Sequence, residues 1–158
     1  MSSSNSTVSP TKPKVLLAGL NVHSKIPAYF RELYGTPEQI KAEIDADTAR
    51  VRGAGYNLTV YFVDDTDPQS GLDWLEHKLK EEKFDGILVG SGVKLIPEQT
   101  ALFESIVGVC VKACAREGRV DDGMVLMFNY GPGTNFETLQ RNQGRLKRRM
   151  ARTGKDGV

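Results

Sequence analysis

The sequence predicts an α/β protein, a three-layer sandwich in which helices cover both faces of a four-stranded parallel sheet. Four short apolar runs, at residues 14–20, 57–63, 84–89 and 124–128, have the length and composition of buried strands. Amphipathic stretches with helix start and stop signals separate these runs. Strands that alternate with helices pair in parallel through right-handed crossovers. Placing the third strand beside the first gives the sheet order 2-1-3-4.

The first half of the pattern begins with a strand that is apolar throughout, at residues 14–20. Residues 21–34 follow without helical periodicity, and a connection of this length is unusual in βα units unless it serves as a lid or a binding loop. The first helix is predicted from Thr36, which forms a capping box with Gln39 around a proline at the first helical position. Gly53 is a typical helix stop.

The second half of the pattern repeats this alternation. Residues 57–63 are rich in β-branched and aromatic side chains, which favours a strand. The second helix is expected to begin at Ser70 as its N-cap, and the third helix spans residues 97–117. After the fourth strand, Thr134 and Glu137 have the spacing of a capping box, so a last helix is predicted from there.

The two ends of the chain differ in composition from the domain that they flank. Residues 1–13 are rich in Ser, Thr and Pro and are predicted to be disordered, residues 14–146 form one domain, and residues 147–158 form a basic, fraying tail. Residues 141–158 hold seven Lys or Arg and one Asp in a chain of net charge +1. We interpret this end as a solvated helix terminus favoured by the helix dipole, and a nucleic-acid partner is not expected because the rest of the chain is acidic.

Three features of the sequence bear on the cellular compartment of the protein. It has no apolar run of about 18 residues, so no membrane span is expected. The first residues lack the charged and apolar regions of a secretory signal. Cys110 and Cys114 stand four residues apart on a predicted helix, which is neither a CxxC redox spacing nor a zinc pattern. We interpret both as small apolar residues, and these features together predict a cytoplasmic protein.

The order of elements resembles that of flavodoxin-like and Rossmann-like folds. A dinucleotide-binding loop needs three glycines after the first strand, and of these only Gly19, near the end of that strand, is present. Asp64 does occupy the place of a ribose-binding acid after the second strand. A flavodoxin phosphate loop is rich in Ser, Thr and Gly at the position that here begins with Asn21. We therefore expect no nucleotide, flavin or other cofactor.

Phrases of the chain also resemble those of a family of small uncharacterised microbial α/β proteins. The resemblance lies in residues 14–20 and 84–93 and in the Phe128-Asn129 pair, within about residues 14–140. It implies a single domain and carries no known activity.

A candidate acid or base follows the first predicted strand. His23 is one of two histidines in the chain, and an imidazole with a pKa near 6.5 suits proton transfer at neutral pH. Asp64 is a candidate catalytic partner because it can orient the imidazole from the end of the second strand. The carboxyl ends of parallel strands meet at one edge of the sheet, and the switch point of the order 2-1-3-4 lies between strands one and three. The structural alternative is a loop histidine that bonds to the backbone.

A candidate anion site follows the third predicted strand. Gly90, Ser91 and Gly92 allow backbone N–H groups to approach a ligand closely, and Lys94 adds a positive charge before the next helix. The alternative is that these glycines serve only the turn and the packing of strand on helix. Further side chains expected to contact the ligand are Asn21, Asn129 and Tyr130.

Two other clusters leave alternatives open. Tyr29, Phe30 and Tyr34 suit an apolar lid over the crevice or a contact between two copies of the chain. Asp64, Asp65 and Asp67 offer oxygens to a divalent cation, but a turn and a helix cap explain them more simply, so no metal is expected.

The resulting hypothesis is a small cofactor-independent enzyme, an isomerase or lyase that transfers a proton on a small anionic or carbonyl-containing metabolite. Proton transfer is favoured because no metal or cofactor motif accompanies the histidine. The alternative is a domain without enzymatic activity that binds a small anion or a partner protein.

Overall fold

The computed structural model describes residues 12–119 and 121–154 and confirms the predicted fold class. The sheet is parallel throughout, in the order β2-β1-β3-β4. Its strands are β1 (Lys14–Leu20), β2 (Asn57–Val63), β3 (Gly86–Val89) and β4 (Val125–Phe128). Most of the segment predicted to be disordered, residues 1–11, lies outside the described residues. Pro13 is buried, and its carbonyl accepts a hydrogen bond from the N–H of Asn57.

Helices cover both faces of this sheet. They are α1 (Ala28–Tyr34), α2 (Pro37–Gly53), α3 (Pro68–Glu81), α4 (Ser91–Leu95), α5 (Thr100–Glu117), α6 (Asn135–Arg141) and α7 (Gln143–Arg152). Helices α2, α6 and α7 lie on one face and α3 and α5 on the other, as right-handed crossovers require. Within the described ranges, no helix combines the length and the apolar character that crossing a bilayer demands.

The predicted start of α2 is confirmed, whereas that of α3 is wrong. In α2 the capping box is present: the Thr36 hydroxyl accepts a hydrogen bond from Gln39 N at 3.2 Å, and Gln39 Oε1 accepts one from Thr36 N at 2.9 Å. The expected N-cap of α3 at Ser70 is wrong, because Asp67 caps this helix and accepts a hydrogen bond from Ser70 N at 3.3 Å. Pro68 explains the earlier start, since a proline at the first helical position loses no hydrogen bond.

The predicted capping box of the last helix is also wrong. The Thr134 hydroxyl makes no bond to the first turn of α6 and instead donates to Gly131 O at 2.8 Å, which closes the preceding loop. The helix is capped from α2, where Asp47 Oδ2 accepts a hydrogen bond from Asn135 N at 2.7 Å. The expected single helix is divided at Asn142 into α6 and α7.

The basic end of the chain is partly built into the core. Arg149 is only 2% exposed, and its guanidinium contacts Glu117 at 2.5 Å and Asp85 at 3.6 Å. Arg152 also bonds to Glu117, at 3.2 Å. The interpretation as a solvated helix end is therefore wrong for these two arginines, although Lys147 is exposed. Residues 155–158 lie outside the described residues.

The two cysteines lie in α5 as free thiols, Cys110 buried and Cys114 half-buried. Burial, helped by the neighbouring Cys114 thiol, raises the pKa of Cys110 to about 12. Burial and the Glu117 carboxylate raise the pKa of Cys114. Both folded pKa values exceed the ordinary thiol value of about 8.5. The contribution of these thiols to the free energy of unfolding is therefore fully present below that pH and is lost as the pH rises through the folded pKa values.

Since the thiolate is the reactive form, we expect iodoacetamide at pH 8 to leave Cys110 unmodified in the folded protein and to modify it fully in urea. Mass spectrometry of the alkylated peptides measures this, with the urea sample as the control. Rapid alkylation of Cys110 in the folded protein would contradict the prediction.

Candidate functional site

A mainly apolar cavity lies at the carboxyl edge of the sheet, at the switch point between β1 and β3. Its volume is about 50 Å³. A water molecule needs roughly 10–15 Å³ by this measure, so the cavity accommodates a few waters or a small organic group. The apolar part of its wall consists of Leu17, Leu20, Val22, Ile26, Phe30, Ile40, Ile44, Phe62 and Pro132.

The polar part of the cavity wall is supplied by three uncharged side chains, Ser91, Asn129 and Asn135. Asn129 is 4% exposed and Asn135 is 2% exposed. The amide nitrogen of Asn129 donates a hydrogen bond to Asn135 Oδ1 at 2.7 Å. The remaining oxygen, Asn129 Oδ1, is buried and has no hydrogen-bond donor among the described residues. A buried acceptor without a partner is uncommon in proteins and marks this end of the cavity as chemically distinct.

Asn135 is held in place by a contact between two distant helices. Its N–H, at the start of α6, donates to Asp47 Oδ2 at 2.7 Å, and Phe136 N donates to Asp47 Oδ1 at 3.4 Å. Arg50 Nη2 also donates to Asp47 Oδ1, at 3.0 Å. The Asp47 side chain is 1% exposed. A buried carboxylate at the positive end of a helix fixes both the helix and the first side chain in it.

Asn129, at the end of β4, is held in place through its backbone carbonyl. Lys94 Nζ donates a hydrogen bond to Asn129 O at 2.8 Å, which ties α4 to this strand end. Lys94 does not line the cavity. The predicted role of Lys94 in anion binding thus has no support from its position, because the ammonium already has a carbonyl partner and acts as a positioning group.

The Gly-Ser-Gly turn forms one wall of the cavity and also packs closely on β1. A Cβ atom added to Gly90 would lie 3.1 Å from the Cα of Gly19, and one added to Gly92 would lie 3.3 Å from the Cβ of Leu20. These glycines are needed for close packing of the strand end on β1. Ser91 lines the cavity, and its hydroxyl has no hydrogen bond to another described residue.

The structure does not bring His23 and Asp64 together. His23 is exposed, and its N–H donates to Asn21 Oδ1 at 2.9 Å in a local turn. Asp64 is also exposed, and its carboxylate accepts hydrogen bonds from the hydroxyl and the N–H of Thr66, which lower its pKa. No ion pair joins His23 to Asp64, and within the described part of the chain neither residue, nor Asn21, lines the cavity.

The neighbouring carboxylate, Asp65, holds the loop after β1 and makes no hydrogen bond or ion pair with the His23 imidazole. Asp65 Oδ2 accepts hydrogen bonds from Lys25 N at 2.9 Å and from Gln99 Nε2 at 3.2 Å, which fixes the loop after β1. Asp67 caps α3. In residues 12–119 and 121–154, no three His, Cys, Asp or Glu side chains are grouped so that they could hold a metal ion.

The predicted aromatic lid is only partly at the cavity. Phe30 of α1 is buried in the wall, and its ring packs against Tyr34 with centroids 4.5 Å apart. Tyr29 is exposed and lies outside the lining. Tyr130 is also exposed, and its hydroxyl donates to Glu137, a hydrogen bond that raises the pKa of Tyr130. Of the three predicted lid residues, Phe30 therefore forms part of the cavity wall and Tyr34 packs against it.

Two residues of the site were not predicted, although the sequence contains a signal for each. Asp47 stands in the apolar stripe of α2, at helical spacing from Ile44 and Val51, and a carboxylate on a buried stripe needs a partner. Asn135 stands across a Gly-Pro-Gly turn from Asn129, but its place within an apparent capping box suggested a purely local role.

Comparison of the chain with protein-family models, with curated proteins and with solved structures finds no match in any of the three. The resemblance to small microbial α/β proteins stays a prediction, and function must be inferred from the cavity itself.

Proposed function

We propose that this protein is a binding module that takes up a small, uncharged and mainly apolar molecule in the cavity between β1, β3 and β4. The observation that carries this proposal is Asn129 Oδ1, a buried acceptor without a donor on a residue of the mainly apolar wall. Leaving such a group unpaired costs about 1–3 kcal/mol, so a ligand that donates a hydrogen bond there is favoured. The apolar wall favours a ligand with a hydrocarbon body.

The absence of charge in the wall supports an uncharged ligand. All of the residues that line the cavity within the described part of the chain are apolar, glycine, serine or asparagine. The nearest predicted cation, Lys94, is bonded to a carbonyl. An anion would lose its hydration without gaining an opposite charge, which is costly. The proposal therefore differs from the small-anion hypothesis that the sequence favoured.

Proton-transfer catalysis stays a prediction from the sequence. It would require His23 to act from outside the wall, without the orienting carboxylate that the hypothesis assigned to Asp64. Binding to a partner protein also stays a prediction. Tyr29 and Leu33 of α1 are 46% and 74% exposed, but nothing in the structure indicates what would cover them.

The proposal can be tested by titrating ¹⁵N-labelled protein with two fragments that share a carbon skeleton, isobutanol and isobutyrate. We expect isobutanol to shift the backbone amide signals of Ser91, Asn129 and Asn135, and isobutyrate at neutral pH to leave them unchanged, because only the alcohol is uncharged and offers a donor. Stronger shifts with isobutyrate, or none with isobutanol up to its solubility limit, would contradict the proposal.

Three variants serve as controls for that titration. Ile44→Phe adds volume to the cavity wall and should abolish the shifts. Val111→Phe adds the same ring to the exposed face of α5 and should not. His23→Ala should leave the titration unchanged if the protein is a binding module, because this residue does not line the cavity.

A further inference from the structure

The asparagine pair at the polar end of the cavity leaves one hydrogen-bond acceptor and one donor unused. The hydrogen bond from Asn129 Nδ2 to Asn135 Oδ1 uses one polar atom of each amide. This leaves Asn129 Oδ1, a buried acceptor without a partner. It also leaves Asn135 Nδ2, a donor with no hydrogen bond to another described residue. Both residues line the cavity, so the two unused atoms belong to neighbouring amide groups of its wall.

This complementarity does not depend on which way round the two amides face. If both were rotated by half a turn, Asn135 Nδ2 would donate to Asn129 Oδ1. The free atoms would then be Asn129 Nδ2 and Asn135 Oδ1, again one donor and one acceptor. An asparagine amide has two donor hydrogens on one end and an acceptor on the other, so any hydrogen-bonded pair leaves this combination.

We infer that the site recognises a carboxamide group, as found in a primary amide or a lactam. The N–H of the ligand donates to the free oxygen of the asparagine pair, and its carbonyl accepts from the free nitrogen. This inference rests on the proposed function and names the polar group of the ligand. The hydrocarbon part of such a ligand lies against the apolar wall, near Leu20 and Ile44.

Other small polar groups match the pair less well. A carboxylate has acceptors only, so one of its oxygens would face the free oxygen of Asn129. A ketone also lacks a donor and leaves that buried oxygen unpaired, which is costly. An amidinium has donors only and leaves no acceptor for the free nitrogen of Asn135. A carboxamide satisfies both atoms at once.

The asparagine pair is organised before any ligand arrives. Asp47 fixes the backbone of Asn135 at 2.7 Å, and Lys94 fixes the carbonyl of Asn129 at 2.8 Å. Side chains that are already ordered lose little conformational entropy on binding, and such support is what makes a polar site selective. Asp47 and Lys94 act here as positioning residues that do not contact the ligand.

The test uses four planar molecules of four heavy atoms each: acetamide, acetone, acetate and acetamidinium. Each is titrated into the ¹⁵N-labelled full chain, and the side-chain NH₂ signals of Asn129 and Asn135 are followed. We expect acetamide to bind with a Kd at least about tenfold lower than that of acetone, since one neutral hydrogen bond to a buried group is lost with acetone. Acetate at neutral pH should leave both signals unchanged.

The outcomes separate this inference from the proposed function. If acetone binds in the cavity as tightly as acetamide, the carboxamide inference is overturned while binding of an uncharged fragment stands. If isobutanol, acetamide and acetone all leave the cavity signals unchanged, the proposed function fails as well.

A specificity switch provides a second test. In Asn135→Asp the carboxylate still accepts from Asn129 Nδ2, and the pair then presents two free acceptors. We expect the preference to change from acetamide to acetamidinium, which has two donors. Asn57→Asp, at the exposed start of β2, is the matched control and should keep the preference of the parent protein.

An unchanged preference in the Asn135 variant would overturn the inference. If this variant does not fold, Asn129→Asp makes the same change from the other side of the pair. If neither variant folds, the comparison of acetamide with acetone in the parent protein decides the question.

Discussion

Replacing Arg149 with alanine is expected to destabilise the protein by about 4 kcal/mol, because it removes the buried cation from an ion-pair network, although Arg152 still pairs with Glu117. The guanidinium lies 2.5 Å from Glu117 and 3.6 Å from Asp85, and it also donates to Phe84 O at 3.2 Å. It thereby connects α7 to α5 and to the chain just before β3. Urea unfolding followed by circular dichroism measures the loss as a lower transition midpoint.

The neighbouring residue provides the control for this prediction. Arg148 is exposed, so Arg148→Ala should change stability by less than about 0.5 kcal/mol. If the two variants unfold at the same urea concentration, the guanidinium of Arg149 does not stabilise the fold as its contacts indicate.

Replacing Asp47 with alanine is expected to cost about 3 kcal/mol. The substitution removes a buried, charge-assisted cap and leaves the N–H groups of Asn135 and Phe136 without their acceptor. It also leaves Arg50 without its carboxylate, although that side chain is half exposed and adds little. Thermal unfolding followed by circular dichroism measures the effect as a lower Tm.

The same helix provides the control for Asp47. Asp45 is 62% exposed, and its salt bridge with Lys41 lies on the solvent side of α2. Asp45→Ala should therefore change stability by less than about 0.5 kcal/mol. Equal losses in the two variants would show that Asp47 acts only through the net charge of α2 and does not cap α6.

Arg149 and Asp47 act at opposite ends of the sheet. Arg149 secures the amino edge, where Asp85 also accepts a hydrogen bond from Lys14 N at 2.8 Å. Asp47 secures the carboxyl edge, where the cavity lies. Loss of Arg149 should therefore affect stability alone, whereas loss of Asp47 also removes the support of the asparagine pair.

The position of the candidate site could be predicted from the sequence, but its chemistry could not. The strand order placed a crevice between β1 and β3, and Gly90, Ser91 and Asn129 do lie in the cavity wall there. The predicted proton transfer depended on the His23 imidazole, and the predicted anion binding depended on the Lys94 ammonium. The structure places His23 at the surface and pairs Lys94 with a carbonyl.

The sequence by itself determined the fold class, the strand order and the start of α2. These features depend on patterns along the chain: uniform apolar runs, helical periodicity, and a threonine followed by a proline and a glutamine. Each pattern acts within a few residues, so it can be recognised without knowing where the rest of the chain lies.

Only the tertiary structure decided which polar groups meet. Asp47 caps a helix that begins 88 residues further along the chain, and Arg149 pairs with carboxylates on α5 and in the connection before β3. Burying a polar group requires a partner, and the nearest group in space is often remote in sequence. For this reason the unpaired oxygen of Asn129, on which the proposed function depends, became apparent only in the folded chain.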